Sequence, residues 1–363
     1  MNPKLKKILS AAFVILSVSV VFIIAFGNTE FHDAWAALGR MDWRWIVGLF
    51  CCWAVYAGFE SLGTWFYLRK EGFRISPFRT LICALIGFYY GNITPSATGG
   101  QPMQVNSLRK AGIPVGYGTV AVSVRFISNQ FLICVTGITL LLINRDFVYS
   151  QLGDAVWFVR VGLVCNFAPV PLIIMAAFMR TRMQRLAHAV IGFLFRIRLI
   201  RDKDAALARV TEMLDDYHTA MKELSRSAGR ILLQFLCSAV SLAGLFSAIV
   251  FVYYAFEQTG TPAFRIFTLS ALLFVSASYT PLPGASGAQE GGFLLYFKGI
   301  FKPDIIGLAL LIWRFFTYYL FLIVGAVTVL VEKAIVRREQ RKKNEKNLPG
   351  AIPDRTDQQS AQS

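Results

Sequence analysis

Residues 94–102 read TPSATGGQP, and residues 280–290 read TPLPGASGAQE, so one apolar chain contains a similar turn-rich phrase twice. Proline removes a backbone donor and disfavours helix in the residue before it. Pro95 is therefore expected to stop a helix in the first phrase, and Pro281 and Pro283 are expected to stop one in the second. Each phrase predicts a helix that is interrupted and then restarts.

Each phrase also contains the spacing of a capping box, in which a hydroxyl accepts a hydrogen bond from the backbone N–H three residues on. Thr98 precedes Gln101 by this interval, and Ser286 precedes Gln289 by the same interval. The unpaired N–H groups and positive dipole ends of two such half-helices favour an anion, which glycines allow to approach the backbone. We therefore predict a substrate site formed by Thr98, Gly99, Gly100, Gln101, Ser286, Gly287, Gln289 and Glu290.

An Arg-Phe pair follows each phrase inside the next apolar segment. Arg125 and Arg314 lie where a charge costs at least about 2.5–3.5 kcal/mol to insert, so each is expected to face a cavity or a partner. Because guanidinium binds phosphate through a planar fork, we expect both to hold a lipid phosphate. The alternative is structural pairing with Glu60 or Glu290, the same carboxylates that are candidates for proton coupling.

The composition indicates an integral membrane protein, with 55% hydrophobic residues and a mean hydropathy of +0.53. A membrane span needs about 20 mostly apolar residues, and six segments meet this length. They are residues 8–26, 45–68, 115–143, 157–179, 231–256 and 305–331. The first follows KLKK and is interpreted as an uncleaved anchor.

Basic residues, which give a formal net charge of +16, cluster in alternate connections and at both ends of the chain. This distribution indicates that both termini are cytoplasmic, and it does not indicate nucleic-acid binding. The topology then requires that residues 80–111 and 264–302 each enter and leave on one side as re-entrant half-helix pairs. The fold class predicted is an all-α polytopic membrane protein with an inverted-topology repeat.

The repeat divides the chain into two halves. Residues 1–143 form the first, and residues 156–335 form the second, which includes a cytoplasmic amphipathic insert at 180–230. Residues 336–363 are charged and then polar, and are predicted to be a disordered cytoplasmic tail. The six cysteines lie in apolar segments without C-x-x-C spacing, and the three histidines lie outside the spans, so we expect no catalytic group, metal or cofactor.

Three stretches carry a family resemblance: NITPSATGGQPMQVNSLRKAGIP (92–114), PLPGASGAQEGGF (281–293) and WRFFTYYL (313–320). They resemble the lysylphosphatidylglycerol synthetase membrane-domain family, the integral part of multiple peptide resistance factor proteins. The resemblance implies a flippase for aminoacylated phosphatidylglycerol, with Gln101, Glu290 and Arg314 in the site. Many relatives carry Glu at the position of Gln101, and Ala285 and Ala288 replace frequent glycines. No soluble aminoacyl-transferring domain is evident, so a transporter is expected, not an enzyme.

The function expected from these observations is translocation of a phospholipid or lipid-linked anion, such as aminoacyl-phosphatidylglycerol, between leaflets. The expected partners are membrane phospholipids, chiefly anionic, and no nucleic acid. Two alternatives stay open: a membrane-embedded enzyme acting on a lipid phosphate, and a non-transporting scaffold that recruits a soluble lipid-modifying enzyme through the insert.

Overall fold

The computed structural model describes residues 39, 41–171, 179–196, 202–225 and 227–346, and within these ranges the chain is helical without a β-strand. Five helical segments are long and apolar enough to cross a membrane, which confirms the all-α polytopic prediction. They are Trp43–Lys70, Val115–Ile143, Arg145–Pro171, Ala228–Ala255 and Ile306–Arg341. The predicted first span, 8–26, lies outside the described residues.

The first half begins with α1 (Trp43–Lys70), whose N-terminus is capped by the Asp42 carboxylate accepting from the Arg44 N–H. Next come α2 (Pro77–Asn92), a 3₁₀ turn (Pro95–Ala97) and α3 (Gly100–Lys110). Helix α4 (Val115–Ile143) completes this half. The order of helix, break and helix before a long span follows the sequence prediction for this region.

The second half repeats this order. After α9 (Ala228–Ala255) come α10 (Ala263–Ala277), a second 3₁₀ turn (Pro283–Ala285) and α11 (Ala288–Tyr296). The last span consists of α12 (Ile306–Arg314), a π-helical turn (Phe315–Tyr319) and α13 (Leu320–Lys346). Residues 336–346 are thus helical where disorder was predicted, because α13 continues beyond its apolar part through charged residues with good helix propensity. Residues 347–363 lie outside the described ranges.

The connection between the halves also differs from its prediction. Helices α5 (Arg145–Leu152) and α6 (Val156–Phe167) form a segment that begins twelve residues before the predicted span 157–179. Polar residues lower the hydropathy of α5, yet Val148 and Leu152, one turn apart, are buried in the main hydrophobic core. Hydropathy alone would place residues 145–152 in a loop, but their packing against the core stabilises a helix there.

The predicted insert 180–230 contains two helices, α7 (Arg180–Arg196) and α8 (Lys203–Ser225), followed by the start of α9. Helix α8 packs against α4, and its Met221 shares a buried cluster with Tyr67, Leu108 and Ile113. The insert is therefore docked at one end of the bundle. This is the end where sequence analysis placed the basic segments.

The two halves pack on each other reciprocally. Helix α1 runs along its counterpart α9, α2 contacts α13 of the second half, and α10 contacts α4 of the first half. Small residues allow the closest approach: a Cβ on Gly244 in α9 would lie 3.1 Å from the Cys52 carbonyl oxygen in α1. This exchange of contacts is expected of a repeat. The inverted orientation of the second half and the re-entry of residues 80–111 and 264–302 within a membrane stay predictions.

A polar cavity between the halves as the candidate functional site

The two interrupted regions touch each other. The first break is the turn Pro95–Ala97 and the second is the turn Pro283–Ala285. The Ser96 N–H donates to the carbonyl oxygen of Pro281 at 3.2 Å, so the breaks are joined by a backbone hydrogen bond. The sequence phrases predicted two interruptions, but their direct contact required the folded chain.

The breaks also share an unusual backbone conformation. Ser96 and Ala97 have φ values of 50° and 55°, while Gly284 and Ala285 have φ values of 60° and 51°. A non-glycine residue in this left-handed region costs about 1–2 kcal/mol, and such strain persists where surrounding structure imposes it, often at functional sites. The common geometry supports the alignment of the two phrases.

The predicted capping boxes are wrong. The Thr98 hydroxyl donates back to the Pro95 carbonyl oxygen, and the Ser286 hydroxyl donates to that of Pro283, each at 2.9 Å. The left-handed turn directs each hydroxyl towards the preceding proline, away from the following helix. The backbone N–H just before each helix donates to a different side chain. The Gly99 N–H donates to Thr94 Oγ1 at 2.9 Å, and the Gly287 N–H donates to Glu290 Oε2 at 2.6 Å.

A cavity of about 530 Å³, here named the central cavity, lies beside these breaks. It is lined by both breaks and by spans of both halves, including Tyr56 and Glu60 of α1 and Trp313 and Arg314 of α12. The volume falls within the range of about 300–1,000 Å³ typical of small-molecule sites. A site shared by two repeats at discontinuous helices is the arrangement found in many transporters.

Arg125 is held on one wall of the central cavity by two buried side chains. Its Nε lies 3.0 Å from Glu60 Oε2, and its Nη2 donates to Gln104 Oε1. Asn129 Nδ2 donates to the other oxygen of Glu60 at 2.5 Å. Glu60 is 3% exposed, so its charge is neutralised by an ion pair and oriented by an amide.

Arg314 is held comparably by different elements. Its Nε donates to Glu290 Oε1 at 2.7 Å, and its Nη2 donates to the Gly284 carbonyl oxygen at 3.1 Å. Its guanidinium carbon lies 4.6 Å from the centre of the Tyr318 ring, within range of a cation–π contact. Tyr318 belongs to the π-helical turn, a distortion frequent at functional sites. The pairing of each arginine with a glutamate, which the sequence left open, is thus observed.

Both arginines keep hydrogen-bonding capacity after these contacts. Among the described residues, no acceptor is bonded to Nη1 of Arg125 or Arg314, while the other nitrogens named above are engaged. Both side chains line the central cavity. The two arginines that line this cavity therefore each have one guanidinium nitrogen without an acceptor in the described chain.

The central cavity also contains acceptors that lack donors. Gln289 Oε1 and Asn129 Oδ1 are buried and have no hydrogen-bond partner within the described chain. Both residues line the cavity, and Gln289 is 6% exposed. An unpaired buried polar atom costs about 1–3 kcal/mol, so these amides favour a ligand that brings hydrogen-bond donors.

The structure brings part of the predicted site together. Arg125, Arg314, Gly100, Gln101 and Gln289 line the central cavity, as does Glu60. The other predicted residues, Thr98, Gly99, Ser286, Gly287 and Glu290, lie outside its lining. Glu290 supports the site indirectly, since it is 1% exposed and orients Arg314 from behind.

A further polar network lines the cavity, and sequence analysis missed its members Asn166 and Ser278. Asn166 Nδ2 donates to Ser278 Oγ at 2.6 Å and to the Val275 carbonyl oxygen at 3.1 Å. Gln130 Nε2 donates to the Asn166 carbonyl oxygen at 2.9 Å. The network joins α4, α6 and the end of α10 beside the second break. An asparagine inside an apolar segment was the available signal.

A second feature that sequence analysis missed is a group of ion pairs between α13 and the α2–α3 unit. Glu332 of α13 is 4% exposed, accepts from the Ser107 hydroxyl and lies 2.6 Å from Lys110 Nζ. Further along α13, Glu339 pairs with Arg79 at 2.7 Å. These four contacting side chains and Ser107, here named the end cluster, tie the α2–α3 unit of the first half to the last helix of the second.

The part of the chain that the structure describes contains no group of three or more His, Cys, Asp or Glu placed to hold a metal ion. The free cysteines include exposed Cys165 at the cavity and Cys51, and the remaining four are buried.

Fold and site together define a polytopic helical membrane protein whose two similarly built halves line one cavity that contains two buried arginines. The chain belongs to the family described as the Lysylphosphatidylglycerol synthase TM region, which its sequence matches over residues 8–325. It is also similar to a UPF0104 membrane protein of Archaeoglobus fulgidus, with 24% identity over 339 residues that cover 90% of this chain and 98% of that protein. The resemblance noted in the sequence motifs is therefore confirmed.

Proposed function

We propose that this protein is a lipid translocase that moves a phospholipid or lipid-linked anion between leaflets of a bacterial inner membrane. The observation that carries this proposal is the pair of buried arginines, one from each half, that line one cavity and whose Nη1 groups have no acceptor in the described chain. Guanidinium is the protein group best suited to a phosphodiester, because it offers parallel donors in one plane.

The ion pairs make this phosphate binding compatible with a folded resting state. Without a counter-charge, burial of each arginine would destabilise the folded protein. Removal of one partner from a buried ion pair lowers the free energy of unfolding by about 3–5 kcal/mol. Glu60 and Glu290 neutralise the arginines through Nε while Nη1 stays available. A phosphate therefore adds an acceptor without displacing either glutamate.

The remaining groups narrow the class of head group. Asn129 and Gln289 present buried oxygens that need donors, which a bare phosphate monoester lacks. A head group that combines phosphate with hydroxyl or ammonium groups satisfies both sets. Phosphatidylglycerol and aminoacyl-phosphatidylglycerol are such lipids.

The proposed movement is a rocking of the two halves about the central cavity. The head group enters the cavity while its acyl chains stay in lipid, and the halves then expose it to the other leaflet. The end cluster closes one side, because Lys110 and Glu332 belong to different halves. Since Glu60 and Glu290 are both engaged by arginine, their contacts favour the pairing role over proton coupling.

Proteoliposomes test this proposal directly. Movement of labelled lipids would be measured for neutral, zwitterionic, anionic and aminoacylated head groups with wild type, Arg125→Gln and Arg314→Gln. Arg109→Gln is the matched control, since Arg109 is exposed and bonds only Asn106 in the described chain. We expect movement that depends on the head group, falls at least about tenfold in either cavity variant and is retained in the control.

The same preparation separates the rival functions. Chemical conversion of the lipid by purified protein would indicate a membrane enzyme. Absence of both movement and conversion with well-folded protein would contradict the translocase proposal and favour a scaffold for a soluble enzyme.

A further inference from the structure

Helix α7 (Arg180–Arg196) has an apolar face that no described part of the chain covers. Leu186, Val190 and Phe193 are spaced by four and three residues, so they lie on one side of the helix. They are 55%, 47% and 60% exposed, respectively. This face is distinct from the side that packs on α8, where Ile191 is 5% exposed.

Basic side chains border this exposed face. At 3.6 residues per turn, Arg182, Arg185 and Arg196 fall along one edge of the stripe formed by Leu186, Val190 and Phe193. All three arginines are exposed, and the sequence of α7 contains no Asp or Glu. The helix therefore offers an apolar stripe and a positive stripe side by side, which is the pattern of a helix lying in a membrane interface.

The position of α7 agrees with that surface. The helix begins nine residues after Pro171, at which the described part of a candidate span ends. Its partner α8 is docked beside the end of α1 and the start of α4, through the cluster that contains Met221, Tyr67 and Ile113. Both observations place α7 at the level where spans leave the hydrocarbon.

We propose that α7 binds the surface of an anionic leaflet. Leu186, Val190 and Phe193 enter the boundary between acyl chains and head groups, while the arginines contact lipid phosphates. A soluble protein or a second copy of the chain could also bury apolar residues, but neither explains why the charged side chains along the edge of this face are all basic. An anionic phospholipid surface explains the apolar face and its charge together.

A fluorophore at position 193 tests the proposal in the full-length protein. Phe193→Cys would be made in a variant whose six native cysteines are replaced by Ala, labelled, and reconstituted in nanodiscs of phosphatidylcholine with or without phosphatidylglycerol. Quenching by lipids carrying a nitroxide on the acyl chain reports depth. Glu212→Cys on an exposed position of α8 is the matched control.

We expect strong quenching at 193 in anionic nanodiscs, weaker quenching in neutral ones and little quenching at 212. Combining Arg182→Gln with Arg185→Gln should lower the equilibrium constant for insertion by about fivefold for each arginine removed. Equal, weak quenching at 193 and 212 in both lipid mixtures would overturn the proposal. Energy transfer between labels on two copies without lipid quenching would also overturn it, in favour of a contact between chains.

A second measurement requires no substitution and remains decisive if the cysteine-free protein does not fold. Hydrogen exchange of wild-type protein would be compared in the same two nanodiscs. We expect peptides from α7 to exchange more slowly with phosphatidylglycerol present, while peptides from α8 stay unchanged. Identical exchange of α7 in both lipids would contradict the proposal. The inference does not depend on lipid translocation, so either one can fail separately.

Discussion

At the scale of single residues, the site depends on two buried ion pairs of similar form and different origin. Arg125 takes its carboxylate from α1, through Glu60, whereas Arg314 takes its carboxylate from α11, through Glu290. A buried pair contributes little net stability, because desolvation of both charges offsets their attraction. Its value here is orientation, since each glutamate directs one edge of a guanidinium and leaves another edge facing the cavity.

This arrangement predicts strong coupling between Glu290 and Arg314. Glu290→Gln and Arg314→Gln should each lower the free energy of unfolding by about 3–5 kcal/mol, because each leaves a buried charge without its partner. The loss of unfolding free energy in the double variant should be smaller than the sum of the losses in the two single variants. Unfolding by sodium dodecyl sulfate in mixed micelles measures all three differences. Additive losses would contradict a direct ion pair.

The sequence predicted both arginines and both glutamates as functional candidates, because a charge inside an apolar run is expensive wherever it lies. It did not predict which carboxylate meets which arginine. Nor did it predict that Gln104 bonds Arg125, since that contact depends on how closely α3 approaches α4. The capping prediction failed for a similar reason, because the left-handed conformation at Ala97 and Ala285 redirects the neighbouring hydroxyls.

At the scale of helices, α2 and α3 form a unit whose two halves approach at glycine. A Cβ on Gly100 would lie 2.9 Å from the Gly87 carbonyl oxygen and 3.3 Å from the Gly91 Cα. Both neighbours are backbone atoms, so a side chain at this position forces the two helices apart. The broken helix is therefore held by close packing directly beside the cavity.

Gly100→Ala should consequently destabilise the protein by about 1–3 kcal/mol, as expected for overpacking. Gly58→Ala in α1 is the control, because a Cβ there meets no atom within 4 Å and alanine favours a helix interior by up to about 1 kcal/mol. Thermal unfolding in detergent compares the two variants. Equal or higher stability of the Gly100 variant would show that α2 and α3 are not in close contact.

The end cluster gives the second prediction at this scale. Glu332→Gln removes the ion pair with Lys110, while Glu339→Gln removes only a more exposed pair with Arg79, of a kind worth about 0–1 kcal/mol. The first change should loosen the contact between the halves and increase the access of an impermeant thiol reagent to Cys165, which lines the cavity and is already exposed. We expect labelling to accelerate several-fold for Glu332→Gln and little for Glu339→Gln.

The labelling background carries Cys51→Ala, so that Cys165 is the exposed native thiol in the described chain. Unchanged labelling in the Glu332 variant would indicate that the end cluster does not control access. Glu332 itself was absent from the sequence-based site, because an acidic residue near the end of the last span looks like an ordinary boundary. Its contacts with Ser107 and Lys110, both remote in sequence, reveal its position between the halves.

At the scale of the whole molecule, the repeated phrases predicted the organisation in two halves. Two helix–break–helix units and the reciprocal packing of α2 on α13 and α10 on α4 agree with it. Hydropathy predicted the spans at 45–68, 115–143 and 231–256 within three residues at each end, and it predicted the start of the last span within one residue; the last helical segment continues to Arg341, ten residues beyond the predicted end. It failed for Arg145–Leu152, where long-range packing, not local hydrophobicity, decides that the chain is helical.

The contact between the breaks and the enclosed cavity could not be read from local patterns. They arise because Ser96 of one half contacts Pro281 of the other, although the two residues are 185 positions apart in the sequence. In the proposed function, relative motion of these halves carries a lipid head group past Arg125 and Arg314. A test must therefore control that motion while it measures lipid movement.

The most direct measurement is lipid movement in proteoliposomes when the halves are reversibly linked. Lys110→Cys and Glu332→Cys, combined with alanine at Cys51, Cys83 and Cys165, would be joined by a short bifunctional linker that thiols cleave. Protein with Lys110→Cys alone is the control for modification. We expect movement of labelled phosphatidylglycerol to fall to the protein-free rate when linked and to return on cleavage. Movement that continues unchanged in the linked protein, or that is absent after cleavage, would contradict the account.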